Sequence, residues 1–138
     1  LDLGCGSGIL SIAALTLGAA SAAAVDIDDK CLTVAYENAA LNGIGRDRYT
    51  VLVGDAVSDR ALKAQLGSGY DIVVANIVAD VIIGLAPSVR QFLKPGGLFL
   101  CSGIIDTRAD EVADALRHAG WTIEDTRSGE GWYSYTCR

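Results

Sequence analysis

Short apolar runs alternate with stretches of helical periodicity along almost the whole chain, an alternation that predicts a parallel α/β sheet. The runs expected as strands end at Leu3, span Ala22 to Ile27, Tyr49 to Val53, Tyr70 to Ala75 and Leu98 to Ser102, and close with Trp121 to Thr126 and Trp132 to Cys137. The first intervening helix is expected over Ile9 to Leu17, with Ile9, Ile12, Ala13 and Thr16 on its inner face. A second runs from a cap at Asp28 to Asn42 with Leu32, Ala35, Tyr36 and Ala39 inward, and Gly43 ends it. Ser58 is expected to cap a short helix reaching Leu66. The helical stretch between Asn76 and Leu93 should break at Pro87, because proline removes a helix hydrogen bond. A last helix covers Arg108 to Ala119 and stops at Gly120. Lys94-Pro95-Gly96-Gly97 reads as a turn, and Ser128-Gly129-Glu130-Gly131 as the bend of a hairpin that makes the sheet's end antiparallel.

Composition narrows the class. With 138 residues, 51% of them hydrophobic, the chain suffices for one domain over 1–138 with a buried core. No apolar run approaches the roughly 20 residues that cross a bilayer, so no membrane partner is expected. The net charge of −6 suits a basic protein substrate better than a phosphate backbone, and direct nucleic-acid contact is not expected. Four cysteines without C-x-x-C spacing predict reduced thiols in the cytoplasm and no metal site. The chain opens on Leu1-Asp2-Leu3 with no Met, basic region or long apolar leader, which predicts a truncated first strand and a fragment of a longer protein.

The chemistry concentrates at strand ends. Leu1-Asp2-Leu3-Gly4-Cys5-Gly6-Ser7-Gly8-Ile9 has the pattern G-x-G-x-G. Glycines let a backbone turn sharply and approach a ligand without a Cβ in the way. A dinucleotide site of the G-x-G-x-x-G kind would need glycine where Ile9 stands. Asp2 is unhelpful beside a pyrophosphate but suits a ligand with a cationic amino group. Asp26 ends the second strand, where an acid accepts bonds from ribose hydroxyls, and Ile27 follows it. Asp55, with Ala56 beside it, follows the third strand and is placed for an adenine amino group. Each acid alone reads equally well as a solvated loop carboxylate; the ordered set does not.

These motifs resemble those of the class I S-adenosylmethionine (SAM)-dependent methyltransferases over essentially the whole chain. The resemblance implies a Rossmann-like fold: a seven-stranded, mostly parallel sheet of order 3-2-1-4-5-7-6, strand 7 antiparallel, with helices on both faces. It implies SAM as cofactor, held by Asp2, Gly4, Gly6, Gly8, Asp26, Ile27, Asp55, Ala56 and Asn76. Val74-Ala75-Asn76-Ile77-Val78-Ala79-Asp80, Leu93-Lys94-Pro95-Gly96-Gly97 and Ser102-Gly103-Ile104-Ile105 are similar to the catalytic domain of the bacterial ribosomal protein L-eleven lysine methyltransferases. That family trimethylates lysines and the N-terminal amine of a large-subunit ribosomal protein, which is the implied partner, and carries an N-terminal substrate-recruiting domain that these residues do not include. Gly129-Glu130-Gly131-Trp132 departs from its usual Gly-Glu-Trp.

Asn76, at the end of the fourth strand, is the expected catalytic residue. Enzymes that methylate base or glutamine nitrogens often carry Asn-Pro-Pro-Tyr there. Asn76-Ile77-Val78-Ala79 lacks that stacking platform, which favours an aliphatic amine. A methyltransferase acting on RNA or a small metabolite, or a SAM-binding module without catalysis, remains open at this stage. His118 reads as a helix-end residue, Trp121 as core, and Trp132 and Tyr133 as core or edge packing rather than the border of a site.

Overall fold

A computed structural model describes residues 1–138. The chain divides into two units, Leu1–Gly67 and Ser68–Arg138. The strand order is β3-β2-β1-β4-β5-β7-β6, as the resemblance to class I methyltransferases implies. No helix is long and apolar enough to cross a membrane.

The first unit contains β1 (Asp2–Leu3), α1 (Ile9–Thr16), β2 (Ala22–Asp26), α2 (Lys30–Leu41), β3 (Tyr49–Val53) and α3 (Arg60–Leu66). β1 pairs with β2, and β2 with β3, all in parallel. Their core gathers Ile12, Leu15, Ala24, Ala35, Ala39, Tyr49 and Val51, with Leu32 and Tyr36 packed against it. The α2 face therefore agrees with its periodicity. The α1 face does not: Ser11, Ile12 and Leu15 are buried, while Ile9 is exposed. The physical reason is Asp2, whose Oδ2 accepts from the Ser11 N–H (3.2 Å) and hydroxyl (2.8 Å) and so fixes the rotation of the helix. Arg48 reaches from before β3 to the carbonyls of Ala19 (2.7 Å) and Ala20 (3.1 Å), just beyond α1.

Two caps differ in detail from their expected places. The Asp28 carboxylate accepts the Lys30 N–H at 3.0 Å, although helical geometry begins after Asp29. Asp59, not Ser58, caps α3, accepting from Ala61 (2.9 Å) and Leu62 (3.1 Å). The Ser58 hydroxyl is engaged by Asp55 instead.

The second unit contains β4 (Tyr70–Asn76), α4 (Ala79–Leu85), β5 (Leu93–Ile105), α5 (Ala109–His118), β6 (Ile123–Gly129) and β7 (Trp132–Cys137), with 3₁₀ turns at Val89–Phe92 and Asp106–Arg108. β4 and β5 are parallel; β7 is antiparallel to both β5 and β6. Pro87 falls between α4 and the first 3₁₀ turn, where the break was expected. Trp121 is buried, donates its indole N–H to the Ala86 carbonyl at 2.8 Å, and packs on Phe99 with Arg90 over its ring.

β5 is longer than the expected Leu98–Ser102. Tyr70 pairs with Leu93 and Ile72 with Leu98, so Lys94-Pro95-Gly96-Gly97 is a bulge within the strand rather than a turn before it. Proline's missing N–H and the positive φ of Gly96 (78°) both suit such a bulge. The closing hairpin is tighter than expected: Gly129 pairs with Trp132, leaving Glu130-Gly131 as a two-residue turn with φ of 50° and 81°. Two positive φ values define a type I′ turn, where asparagine sits far better than glutamate. Glu130→Asn should raise stability by about 0.5–1 kcal/mol, read as a higher urea midpoint with unchanged slope.

Candidate functional site

In the first unit the turn after β1 is tied down from several sides. The Gly4 and Cys5 N–H groups both donate to the Val25 carbonyl, at 2.8 and 3.1 Å. Asp26 Oδ2 accepts the Gly6 N–H at 2.8 Å, and its Oδ1 accepts the Asp28 N–H at 3.0 Å. From α2, the Asn38 carboxamide donates to the Ser7 carbonyl at 2.9 Å. Gly4, Gly6 and Gly8 all have positive φ (76°, 51° and 80°), which side chains rarely adopt.

The glycines differ in what surrounds them. A Cβ on Gly6 would meet nothing within 4 Å, so the protein leaves that face of the turn open. A Cβ on Gly8 would lie 2.7 Å from the Tyr49 hydroxyl and 3.1 Å from Ala35 Cβ. Gly8 is required by the core beneath it.

Asp2 is 2% exposed. Burial raises its pKa, against the opposing pull of its two bonds from Ser11. Its second oxygen, Oδ1, is buried with no hydrogen-bond partner, an unpaired acceptor that is unfavourable unless a donor meets it. Burial also pushes the Cys5 thiol up to about 12, so this cysteine is no nucleophile despite its place in the turn. Farther along, the Asp55 carboxylate accepts the Val57 N–H (2.8 Å) and the Ser58 hydroxyl, and the hydroxyl bond foremost lowers its pKa. Ala56 is half-buried beside it, and Ile27 is 75% exposed after β2.

In the second unit Asn76 ends β4, exposed and paired in register with Ser102. It borders a cavity of about 480 Å³ whose other walls include Ser102, Gly103, Arg127, Trp132 and Tyr133. Trp132 is 54% exposed, so it is not a core residue and sits instead at the strand end beside the cavity. It stands at the end of the tight hairpin, paired with Gly129 on β6 and with the partly exposed Ile105 on β5. His118 closes α5 with Nδ1 2.8 Å from the Asp114 carbonyl oxygen and lines no cavity wall near Asn76.

The structure thus bonds Gly6 to Asp26 in the turn that also holds Gly4 and Gly8, with Asp2 tied to Ser11 of α1, Ile27 exposed after β2, Asp55 and Ala56 in their own loop and Asn76 in the second unit. Sequence reasoning missed Ser11, Asn38 and Tyr49, which support the turn, and Trp132. Ser11 carried a signal: a polar residue between Leu10 and Ile12 needs a buried partner.

Residues 1–138 match the family profile "Ribosomal protein L11 methyltransferase (PrmA)". The chain is 45% identical over 140 residues to the ribosomal protein L11 methyltransferase of Agathobacter rectalis, covering all of this chain and 43% of that protein. With that of Lachnoclostridium phytofermentans it shares 39% over 152 residues, covering 46% of that protein. The chain spans less than half the length of these curated relatives. A crystal structure of the ribosomal protein L11 methylase from Lactobacillus delbrueckii subsp. bulgaricus superposes with a TM-score of 0.89 at 34% identity, covering 99% of this chain and 67% of that one. The chain belongs to the ribosomal protein L11 methyltransferase family.

Proposed function

We propose that this chain is the catalytic part of a SAM-dependent N-methyltransferase acting in the cytoplasm on amines of a large-subunit ribosomal protein: lysine side chains and the N-terminal amine. The observation that carries the reading is the turn after β1. It is open at Gly6, bonded to Asp26, and backed by the unpaired acceptor of Asp2. That chemistry fits a nucleoside joined to a cationic amino acid. Asp2 provides negative charge for the amino group, Asp26 retains lone pairs for ribose hydroxyls, and Ile27 offers apolar surface to the base. Asp55 and Ala56 serve the adenine edge. SAM, when bound, supplies an activated methyl group on a sulfonium.

The protein's remaining task is to present a neutral, oriented amine. Lysine has a reference pKa near 10.4, so only about one side chain in a thousand is neutral at neutral pH. The open cavity beside Trp132 and Tyr133 accommodates the aliphatic arm, and the neutral amine is favoured once bound substrate and cofactor exclude water from it. The Asn76 carbonyl accepts a bond from the amine and aims its lone pair. The net charge of −6 favours a basic protein over RNA as partner.

The test is transfer of radiolabelled methyl from SAM by the full-length protein to purified large ribosomal subunits, with protein and RNA counted separately. Label in one small protein is expected. Label in RNA, or none despite SAM binding, would overturn the assignment.

Asp2 gives a second check. Its folded pKa lies above its ordinary value of 3.8, so the folded chain holds the proton more tightly than the unfolded one. Stability therefore falls as pH rises from about 3.8 through the folded value, and stays lower above it. Asp2→Asn should abolish this dependence and stabilise the protein at neutral pH. It should also weaken SAM binding about tenfold, because the negative charge buried behind the amino group is gone. Urea titrations at several pH values and calorimetric titration with SAM measure the two effects.

A further inference from the structure

Gly103 lies in β5 at an irregularity in its pairing with β7. Cys101 pairs with Tyr135 and Ile104 with Tyr133, so three steps along β5 match two along β7, and Ser102-Gly103 holds one extra residue. On its other edge β5 follows β4: Asn76 pairs with Ser102, and the Ile77 N–H donates to the Ser102 carbonyl at 3.2 Å. The bulge therefore sits beside the corner from which the Asn76 side chain emerges.

A Cβ on Gly103 would lie 2.6 Å from Asn76 Oδ1, and 3.2 Å from both the N and O of Ile77. The first separation is shorter than any real Cβ contact; the other two are tight but within reach of a small adjustment. Backbone on both sides resists movement, whereas the carboxamide is the free end of a side chain. The carboxamide is what a Cβ would displace. Its oxygen is also the atom assigned to the acceptor amine.

We infer that Gly103 is a positioning residue for the transfer reaction: by lacking a side chain it leaves free the space against β5 that the Asn76 carboxamide occupies. This rests on the reading of Asn76 given above. Gly103 touches neither substrate nor cofactor in this role and acts only through Asn76.

Gly103 also has a positive φ of 78°, so any substitution there strains the backbone whatever it touches. Gly96 separates the two effects. It lies in the same strand with the same φ of 78°, yet a Cβ there would meet only Arg138 Nη1 at 3.7 Å. Gly96→Ala strains the backbone without disturbing Asn76.

The experiment compares Gly103→Ala, Gly96→Ala, Asn76→Ala and the double variant Gly103→Ala/Asn76→Ala in the full-length protein. Methyl transfer to the ribosomal protein, SAM affinity and melting temperature are measured for each. Gly103→Ala should lower kcat/KM by about 30- to 100-fold, the scale of an ångström's misplacement, with SAM affinity within about twofold. Gly96→Ala should lose similar melting temperature and keep its rate. Adding Gly103→Ala to Asn76→Ala should change the rate by less than about twofold, because the group it displaces is already absent. Gly103→Asn, which tolerates positive φ better and puts a Cβ in the same place, gives the same answer if the alanine variant folds poorly. An impaired Asn76→Ala with an additive double variant, or equal rate loss in Gly96→Ala, overturns the proposal alone. Full rate in Asn76→Ala overturns it together with the role of Asn76.

Discussion

Replacing Asn76 with alanine should lower the methyl-transfer rate about a hundredfold while leaving SAM affinity within a few-fold. The size follows from the role proposed for the side chain. Transfer requires the amine's lone pair to face the methyl group, and a carbonyl that accepts an amine N–H fixes that direction. Without it the arm samples many orientations in a cavity of about 480 Å³. Asn76→Asp makes the sharper variant, since it keeps the acceptor and adds negative charge. A carboxylate favours the ammonium form, so the reactive neutral amine becomes rarer and the rate should rise with pH over a higher range than in the parent. Single-turnover rates between pH 6.5 and 9.5, at saturating SAM, distinguish the two variants. Alanine should lower the whole profile, and aspartate should also displace it upward. A parental rate in Asn76→Ala would remove the proposed role and turn attention to the other walls, Ser102, Arg127, Trp132 and Tyr133 among them.

What could be read from the sequence, and what could not, has a common physical basis. Features fixed by local chemistry were legible. Tyr49–Val53 and Trp132–Cys137 fall where alternating β-branched and aromatic residues meet turn formers. The glycine turn after β1 follows from its own G-x-G-x-G pattern, whereas the bond from Gly6 to Asp26, 20 positions on, does not. Features fixed by a partner distant in sequence were not. The phase of α1 depends on Asp2 gripping Ser11, not on the apolar periodicity of Ile9, Ile12 and Ala13. Lys94-Pro95-Gly96-Gly97 has the composition of a turn, but pairing on both sides with β4 absorbs it into β5. Trp132 looks like a core residue by type, and only its pairing next to a two-residue turn leaves it at a cavity wall.

Gly8→Ala should be the most destabilising single change in the turn, by about 3–5 kcal/mol, combining the strain of a left-handed φ with overpacking. The new methyl would meet the Tyr49 hydroxyl at 2.7 Å, Ala35 Cβ at 3.1 Å and Ala35 Cα at 3.3 Å. None of these can retreat easily: Tyr49 is buried in β3 and packed edge-on against Tyr36, and Ala35 is on the buried face of α2. Against a total stability of about 5–15 kcal/mol, such a loss lowers the melting temperature by about 10 °C or more. Gly6→Ala has φ strain alone, since no atom lies within 4 Å of its Cβ, and should cost about 1–2 kcal/mol. Its larger effect should appear in SAM titrations, because the open face it fills is the one proposed for the ligand. Thermal melts with and without SAM separate the two glycines: saturating SAM should rescue Gly8→Ala better than Gly6→Ala. Tyr49→Phe in the Gly8→Ala background provides the internal control. Removing the hydroxyl takes away the shortest contact and should return about 1 kcal/mol. If it returns nothing, the alanine methyl is resisted by α2 through Ala35, and the turn is positioned by that helix rather than by the tyrosine beneath it.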